Sequence, residues 1–122
     1  MFFRKKKNNY QFSPYNQKTS SKTHSAMMTS FDKIQFVVIN NNSDEKLFET
    51  CESLLSGHPL LVKFENLDIQ DANKMLAFIS GVVYATEGKI FKVESHLFLM
   101  GRKEEFEDGS LYQYYEDLKS WF

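Results

Sequence analysis

The chain predicts an α/β fold, a compact two-layer sandwich in β-α-β-α-β-β order with its helices packed on one sheet. Three observations carry this. A β-branched apolar run stands at Ile34–Ile39 and a near-continuous apolar run at Leu60–Phe64. Between and after them lie two longer segments whose apolar residues recur at helical period. Two further short runs, Lys89–Val93 and His96–Met100, flank Glu94-Ser95 as a hairpin would. Strand–helix–strand units with short links imply right-handed crossovers and helices lying on a sheet.

Each element has local reasons. Ile34-Gln35-Phe36-Val37-Val38-Ile39 has strand character and stops at Asn40-Asn41-Asn42. Asn42 followed by Glu45 has capping-box spacing. Leu47, Phe48, Cys51, Leu54 and Leu55 then give a helix one apolar face, and Gly57 and Pro59 stop it. The near-continuous apolar run Leu60–Phe64 suits a strand covered on both faces. Asp68 is placed to cap a second helix, with Asp71 in its first turn. That helix extends to about Thr86 through Ala72, Met75, Leu76, Ile79, Val82 and Val83, and Gly88 stands where a left-handed residue is wanted. Leu111, Tyr114, Tyr115, Leu118, Trp121 and Phe122 share one face of a short C-terminal helix.

A length of 122 residues favours one domain, and 42% hydrophobic content with twelve Phe and six Tyr supports a modest core. The net charge of −1 conceals an asymmetry. Residues 1–30 hold Arg4, Lys5, Lys6, Lys7, Lys18 and Lys22 and no acid, a charge of +6, which leaves −7 on residues 31–122. The division expected is a disordered basic arm, 1–30, and a folded body, 31–122: the arm is rich in Asn, Gln, Ser, Thr and Lys. A basic arm on an acidic body suits contact with an anionic surface, lipid or nucleic acid, or serves only to solubilise. Met1-Phe2-Phe3 ahead of Arg4-Lys5-Lys6-Lys7 can sink two rings among lipid headgroups, each cation adding about 1 kcal/mol near such a surface. One cysteine, Cys51, excludes a disulfide framework and points to a reducing compartment. With no signal-peptide stretch and no spanning run, a cytoplasmic protein is expected.

The residues give chemistry little to work with. His24, His58 and His96 pair with neither Cys51 nor an acid–serine set in any catalytic motif, and the phosphate-binding glycine loops are missing. Glu94 and His96 are too few to hold a metal. Glu104-Glu105-Phe106-Glu107-Asp108 lacks calcium-loop spacing and reads as an acidic, solvated turn. No catalytic residue, cofactor or metal is expected, and the chain reads as a non-enzyme. The second helix carries Ala77, Gly81 and Ala85 at i, i+4 and i+8, a narrow stripe of small residues. Glycine inside a helix costs about 1 kcal/mol relative to alanine, so a close approach must offset it, either packing within the monomer, as on its own sheet, or a contact with a second helix or subunit. In the hairpin, a three-residue turn sets Lys92 across from Phe98, a cation beside an aromatic that suits an apolar, acidic peptide.

Residues 34–100 resemble the SepF family of bacterial cell-division proteins. The carrying motifs are Phe36-Val37-Val38, Gly57-His58-Pro59-Leu60-Leu61-Val62, Asn66-Leu67-Asp68, Phe78-Ile79-Ser80-Gly81-Val82-Val83-Tyr84-Ala85, Gly88-Lys89-Ile90 and Leu97-Phe98-Leu99. The resemblance implies a cytoplasmic protein that dimerises through an α/β core and assembles into rings or arcs. It also implies binding of the C-terminal tail of the tubulin-like FtsZ and tethering to the inner face of the membrane at the septum. Gly81 falls on the family's self-association glycine, Lys92 and Phe98 on the hairpin that meets the FtsZ tail, and Met1, Phe2 and Phe3 in the place of the membrane anchor. The chain departs from the family's usual glycine at Glu94 and from its usual Thr-Pro at Gly101-Arg102.

The expected function is therefore a cell-division adaptor that forms homodimers and homopolymers and links FtsZ to the membrane. The alternative is a nucleic-acid-binding module that uses the basic arm for phosphates and Tyr10, Phe12 and Tyr15 for stacking. The adaptor reading leaves nucleic acid out of the partners.

Overall fold

A computed structural model describes residues 28–122. β1 (Gln35–Ile39) runs parallel to β2 (Leu60–Phe64), and β4 (Leu97–Gly101) lies between β2 and β3 (Lys89–Glu94), antiparallel to both. α1 (Asp44–Leu55) joins β1 to β2, α2 (Ile69–Ala85) joins β2 to β3, and α3 (Ser110–Trp121) ends the chain. The β-α-β-α-β-β order and the mixed α/β class agree with the sequence.

The sheet order explains the strand compositions. Every residue of β4 is buried, as are all but Lys63 in β2, because these two inner strands have neighbours on both sides and cover on both faces. In the edge strands, β1 runs from exposed Gln35 and Phe36 to buried Ile39, and β3 holds only exposed and half-buried residues. On one face, Leu60, Val62, Phe64, Phe98 and Met100 meet Leu47, Cys51 and Leu54 of α1 and Met75, Ile79 and Val83 of α2. On the other, Leu61, Leu97 and Leu99 meet Leu118, Tyr114 and Tyr115 of α3. The sheet with α1 and α2 forms the expected sandwich, and α3 adds a third layer behind it. Trp121 and Phe122 are exposed and take no part in that layer.

The helix ends differ in detail from their sequence signals. Ser43, not Asn42, caps α1: its hydroxyl accepts from the Lys46 amide at 3.1 Å, while Asn41 accepts from the Ser43 amide. Asp68 holds the cap position of α2, but its carboxylate makes no cap hydrogen bond. α1 closes as expected: Gly57, at φ 100°, donates to Leu54 and His58 donates to Ser53. At the end of α2 the left-handed residue is Glu87, at φ 56°, and not Gly88. Glu87 donates to Tyr84 at 3.0 Å and Gly88 to Val83 at 2.8 Å, so both released carbonyls are satisfied. Gly88 is needed for another reason. A Cβ there would stand 2.1 Å from the carbonyl oxygen of Gly101, where β3 starts to pair with β4.

The acidic turn is not wholly solvated. Glu105 is 3% exposed and accepts from Arg102 Nε at 2.8 Å and Nη2 at 3.3 Å, with Lys33 Nζ at 4.0 Å. The hydrogen bond with Glu105 raises the Arg102 pKa above its usual value. Thr29 and Ser30, which composition assigns to the arm, pack against the body. Ser30 is buried and its amide donates to Asp108, while the Phe31 amide donates to the Ser110 hydroxyl. The Ser110 and Ser30 amides hold the Asp108 carboxyl below the usual carboxylate range.

Gly88→Ala is expected to lower stability by about 1–3 kcal/mol, because backbone rather than a flexible side chain must give way. Urea unfolding should show a lower midpoint at unchanged slope. An unshifted midpoint would mean that β3 and β4 do not approach as closely as described.

Candidate functional site

At 100° per residue, Ala77, Gly81 and Ala85 fall on the side of α2 opposite Met75, Ile79 and Val83, which face the core. All three small residues are exposed, and a Cβ added at Gly81 would meet nothing within 4 Å. The sequence left two destinations open for this stripe, the chain's own sheet or another molecule. The sheet is excluded, because α2 packs on it with its other side. Aromatic residues border the stripe. Tyr84 is 85% exposed, and Phe78 reaches toward Phe48 of α1 with ring centroids 6.0 Å apart. Phe48 and Leu55, which the periodicity puts on the apolar face of α1, are half-exposed and belong to this outer surface.

A groove of about 390 Å³ lies between the first half of α2 and the hairpin. Ile69, Ala72 and Leu76 form one wall, Phe64 and Phe98 the apolar base, and Lys92 stands on the opposite rim with Ser95 and His96. Lys92 and Phe98 are partners across β3 and β4, in the register the sequence suggests. The register shifts between Lys92 and Glu94, so Glu94 pairs with Leu97 and leaves Ser95-His96 as the turn. The aromatic is not a free surface side chain. Phe98 is 9% exposed, sits in the main core and meets the Phe64 ring edge-on at 6.0 Å. Lys92 is exposed and makes no ion pair among the described residues. Such a groove accepts an apolar side chain and offers a cation to a carboxylate beside it.

Sequence reasoning singled out Lys92 and Phe98 and did not single out the facing wall. Ile69 carried a signal: it is a bulky apolar residue at the first helical position, outside the core period of α2, and it is two-thirds exposed. The expected membrane-contact residues, Met1, Phe2, Phe3, Arg4, Lys5, Lys6 and Lys7, lie outside the described residues. Within the described residues no helix is long and apolar enough to cross a membrane, and no group of three or more His, Cys, Asp or Glu could hold a metal ion. Cys51 is buried against the sheet, and burial pushes its thiol pKa up, which keeps it protonated and unreactive at neutral pH.

Known proteins resemble this chain over its sheet and first two helices. The family model described as cell division protein SepF matches residues 36–100. Cell division protein SepF of Natranaerobius thermophilus is 30% identical over 88 residues, covering 72% of this chain and 52% of that one. The protein of the same name from Lachnoclostridium phytofermentans is 30% identical over 67 residues, 55% of this chain and 32% of that one. The one from Caldanaerobacter subterraneus subsp. tengcongensis is 29% identical over 68 residues, 56% of this chain and 51% of that one. The matched regions thus span a third to a half of the length of these relatives. The segment Thr29–Lys33 and α3 lie outside the match to the family model, which takes in β1 from its second residue, both crossover helices, the groove and the small-residue stripe. With more than half of its residues matched, including both surfaces described above, the chain belongs to the SepF family of cell division proteins.

Proposed function

We propose that this chain is a non-enzymatic adaptor of cell division, acting at the division site on the inner face of the membrane. It associates with copies of itself through the outer face of α2, holds the C-terminal tail of FtsZ in the groove between α2 and the hairpin, and touches anionic lipid through residues 1–7. The observation that carries this reading is the solvent-facing stripe of Ala77, Gly81 and Ala85. An exposed helix interior gains nothing from glycine within the monomer and loses about 1 kcal/mol relative to alanine. A second helix laid along the stripe recovers that loss, because small side chains let backbones approach and Phe48, Phe78 and Tyr84 supply apolar area at the margins.

The groove supports the tail reading by its chemistry. An apolar base beside an exposed lysine favours a peptide that places a bulky apolar residue next to an acid. One such contact is weak. An assembly presenting many grooves and many arms binds a filament and a membrane much more firmly than a single copy does, because the second contact is made at high local concentration.

Gly81→Lys is expected to shift sedimentation to smaller species with an unchanged circular dichroism spectrum, weakening association at least about tenfold, or about 1.4 kcal/mol. Gly81→Ala separates the two roles of the residue: it should stabilise the monomer by up to about 1 kcal/mol while weakening association less than lysine does. Unchanged assembly in Gly81→Lys removes the stripe from the interface.

Phe98 is a poor probe of the groove, because truncating a buried Phe costs about 3–5 kcal/mol of stability by itself. Lys92→Glu and Ile69→Lys change exposed walls instead. Titration with an FtsZ tail peptide should weaken about two- to fivefold for Lys92→Glu, as for an exposed charge pair, and more for Ile69→Lys. Curves identical to those of the unaltered chain would move the tail site elsewhere.

Removal of residues 1–7 should abolish co-sedimentation with phosphatidylglycerol vesicles, and retained binding would assign lipid contact to another region.

A further inference from the structure

A second apolar cleft lies on the far side of the molecule from the α2 stripe, where the chain enters the fold. It encloses about 270 Å³ and is lined by Thr29, Phe31, Ser110, Gln113, Tyr114 and Asp117. Phe31 and Tyr114 form its apolar sides, meeting edge-on with ring centroids 5.0 Å apart. Its frame is fixed. Asp108 accepts from the Ser30 amide at 2.9 Å and from the Ser110 amide and hydroxyl at 2.9 and 2.8 Å, and the Ser110 hydroxyl also faces the Phe31 amide at 3.0 Å. The 3-10 turn Phe31–Lys33 and the start of α3 are thereby locked together. Neither segment belongs to the part matched by the family model, and the FtsZ groove, the stripe and the core make no use of the cleft.

We propose that this cleft is the docking site of the chain's own basic arm, with Tyr15 packed against the Phe31–Tyr114 pair and Lys18 beside Asp117. Position is the first support. Thr29, a lining residue, is the second residue of the described fold, after the 27 that precede it. The fourteen steps of chain from Tyr15 to Thr29 could span about 45 Å if extended, far more than a return to the adjacent cleft requires. Charge is the second. Residues 103–122 hold six acids and two bases, a net −4, against +6 on residues 1–30. Asp117 Oδ1 is held by Gln113 Nε2 at 3.1 Å on the cleft wall. The nearest lysine on α3, Lys119, is engaged with Glu116 at 3.7 Å and lies over the Tyr115 ring. Chemistry is the third: a cleft with aromatic sides and Ser110, Gln113 and Asp117 on its rim suits a phenol, apolar on its faces and polar at its tip. Because cleft and ligand share one chain, a contact of millimolar strength suffices to populate the docked state. Docking draws the arm back along α3, so an anionic surface must compete for its lysines. That consequence alone rests on the lipid reading above.

The test uses the full chain with a nitroxide on Ser13→Cys; Cys51 is buried and does not take the label. Broadening of the Gln113, Tyr114 and Asp117 amide signals is expected, and its loss on adding Tyr15→Ser or Asp117→Lys. Broadening spread evenly over the surface, or unaffected by either substitution, overturns the proposal. Broadening of an unlabelled, isotope-enriched chain mixed with labelled chains of natural isotope content would place the arm of a second copy in the cleft and overturn docking within one chain. In a parallel series, Asp117→Lys should bind phosphatidylglycerol vesicles several-fold more tightly than the unaltered chain. Equal, measurable binding by both would overturn the competition, whereas no binding by either would refute the lipid reading and leave docking to be decided by the broadening.

Discussion

Leu97, Phe98, Leu99 and Met100 are all buried, with cover on both faces of their strand, and that single fact organises the molecule. β4 enters the sheet last yet lies inside it, between β2 and β3, so its side chains alternate between two separate apolar clusters. A strand of this kind requires cover on both sides. α1 and α2 supply one cover, and the C-terminal α3 supplies the other by stacking Tyr115 on Phe91 at 4.6 Å and burying Leu118. The close passage of Gly88 against Gly101 lets β3 and β4 meet at the far end from their turn.

With the sheet covered twice, the remaining exposed apolar surface serves no purpose in folding the monomer. One part of it lies on the outer side of the helix layer, at Phe48, Phe78 and Tyr84 around the small-residue stripe and at Ile69 beside the groove; Phe36, Trp121 and Phe122 are exposed elsewhere. The two surfaces share α2 but not the same residues. The stripe uses the second half of the helix, facing away from the sheet, and the groove uses the first half, facing the hairpin. In the proposed function, one helix therefore serves a second copy and a peptide through separate residues.

The sequence was legible wherever one local rule acted alone. The β2 run was bounded to the residue and α1 stops at Gly57 as expected. Lys92 does pair with Phe98, but through a two-residue turn at Ser95-His96 and a register shift between Lys92 and Glu94, where the sequence suggested a three-residue turn. It was less legible where two rules competed. Gly88 looked like the left-handed residue that ends α2, but Glu87 takes that conformation and Gly88 is required by a backbone contact with a residue thirteen positions later. Glu105 looked solvated within an acidic run, and only the folded turn brings Arg102 and Lys33 to it. Periodicity put Trp121 and Phe122 on the buried face of α3, but the helix reaches past the sheet there. The stripe was visible as a spacing, while its direction, away from the core, depended on which side of α2 the sheet would claim.

The central claim is that the exposed face of α2 joins copies of this 14.4 kDa chain. Sedimentation velocity on the unaltered protein across a wide concentration series tests it most directly. A weight-average mass that climbs with concentration beyond that of a single chain is the predicted result. A boundary that stays at the mass of one chain throughout would contradict the claim.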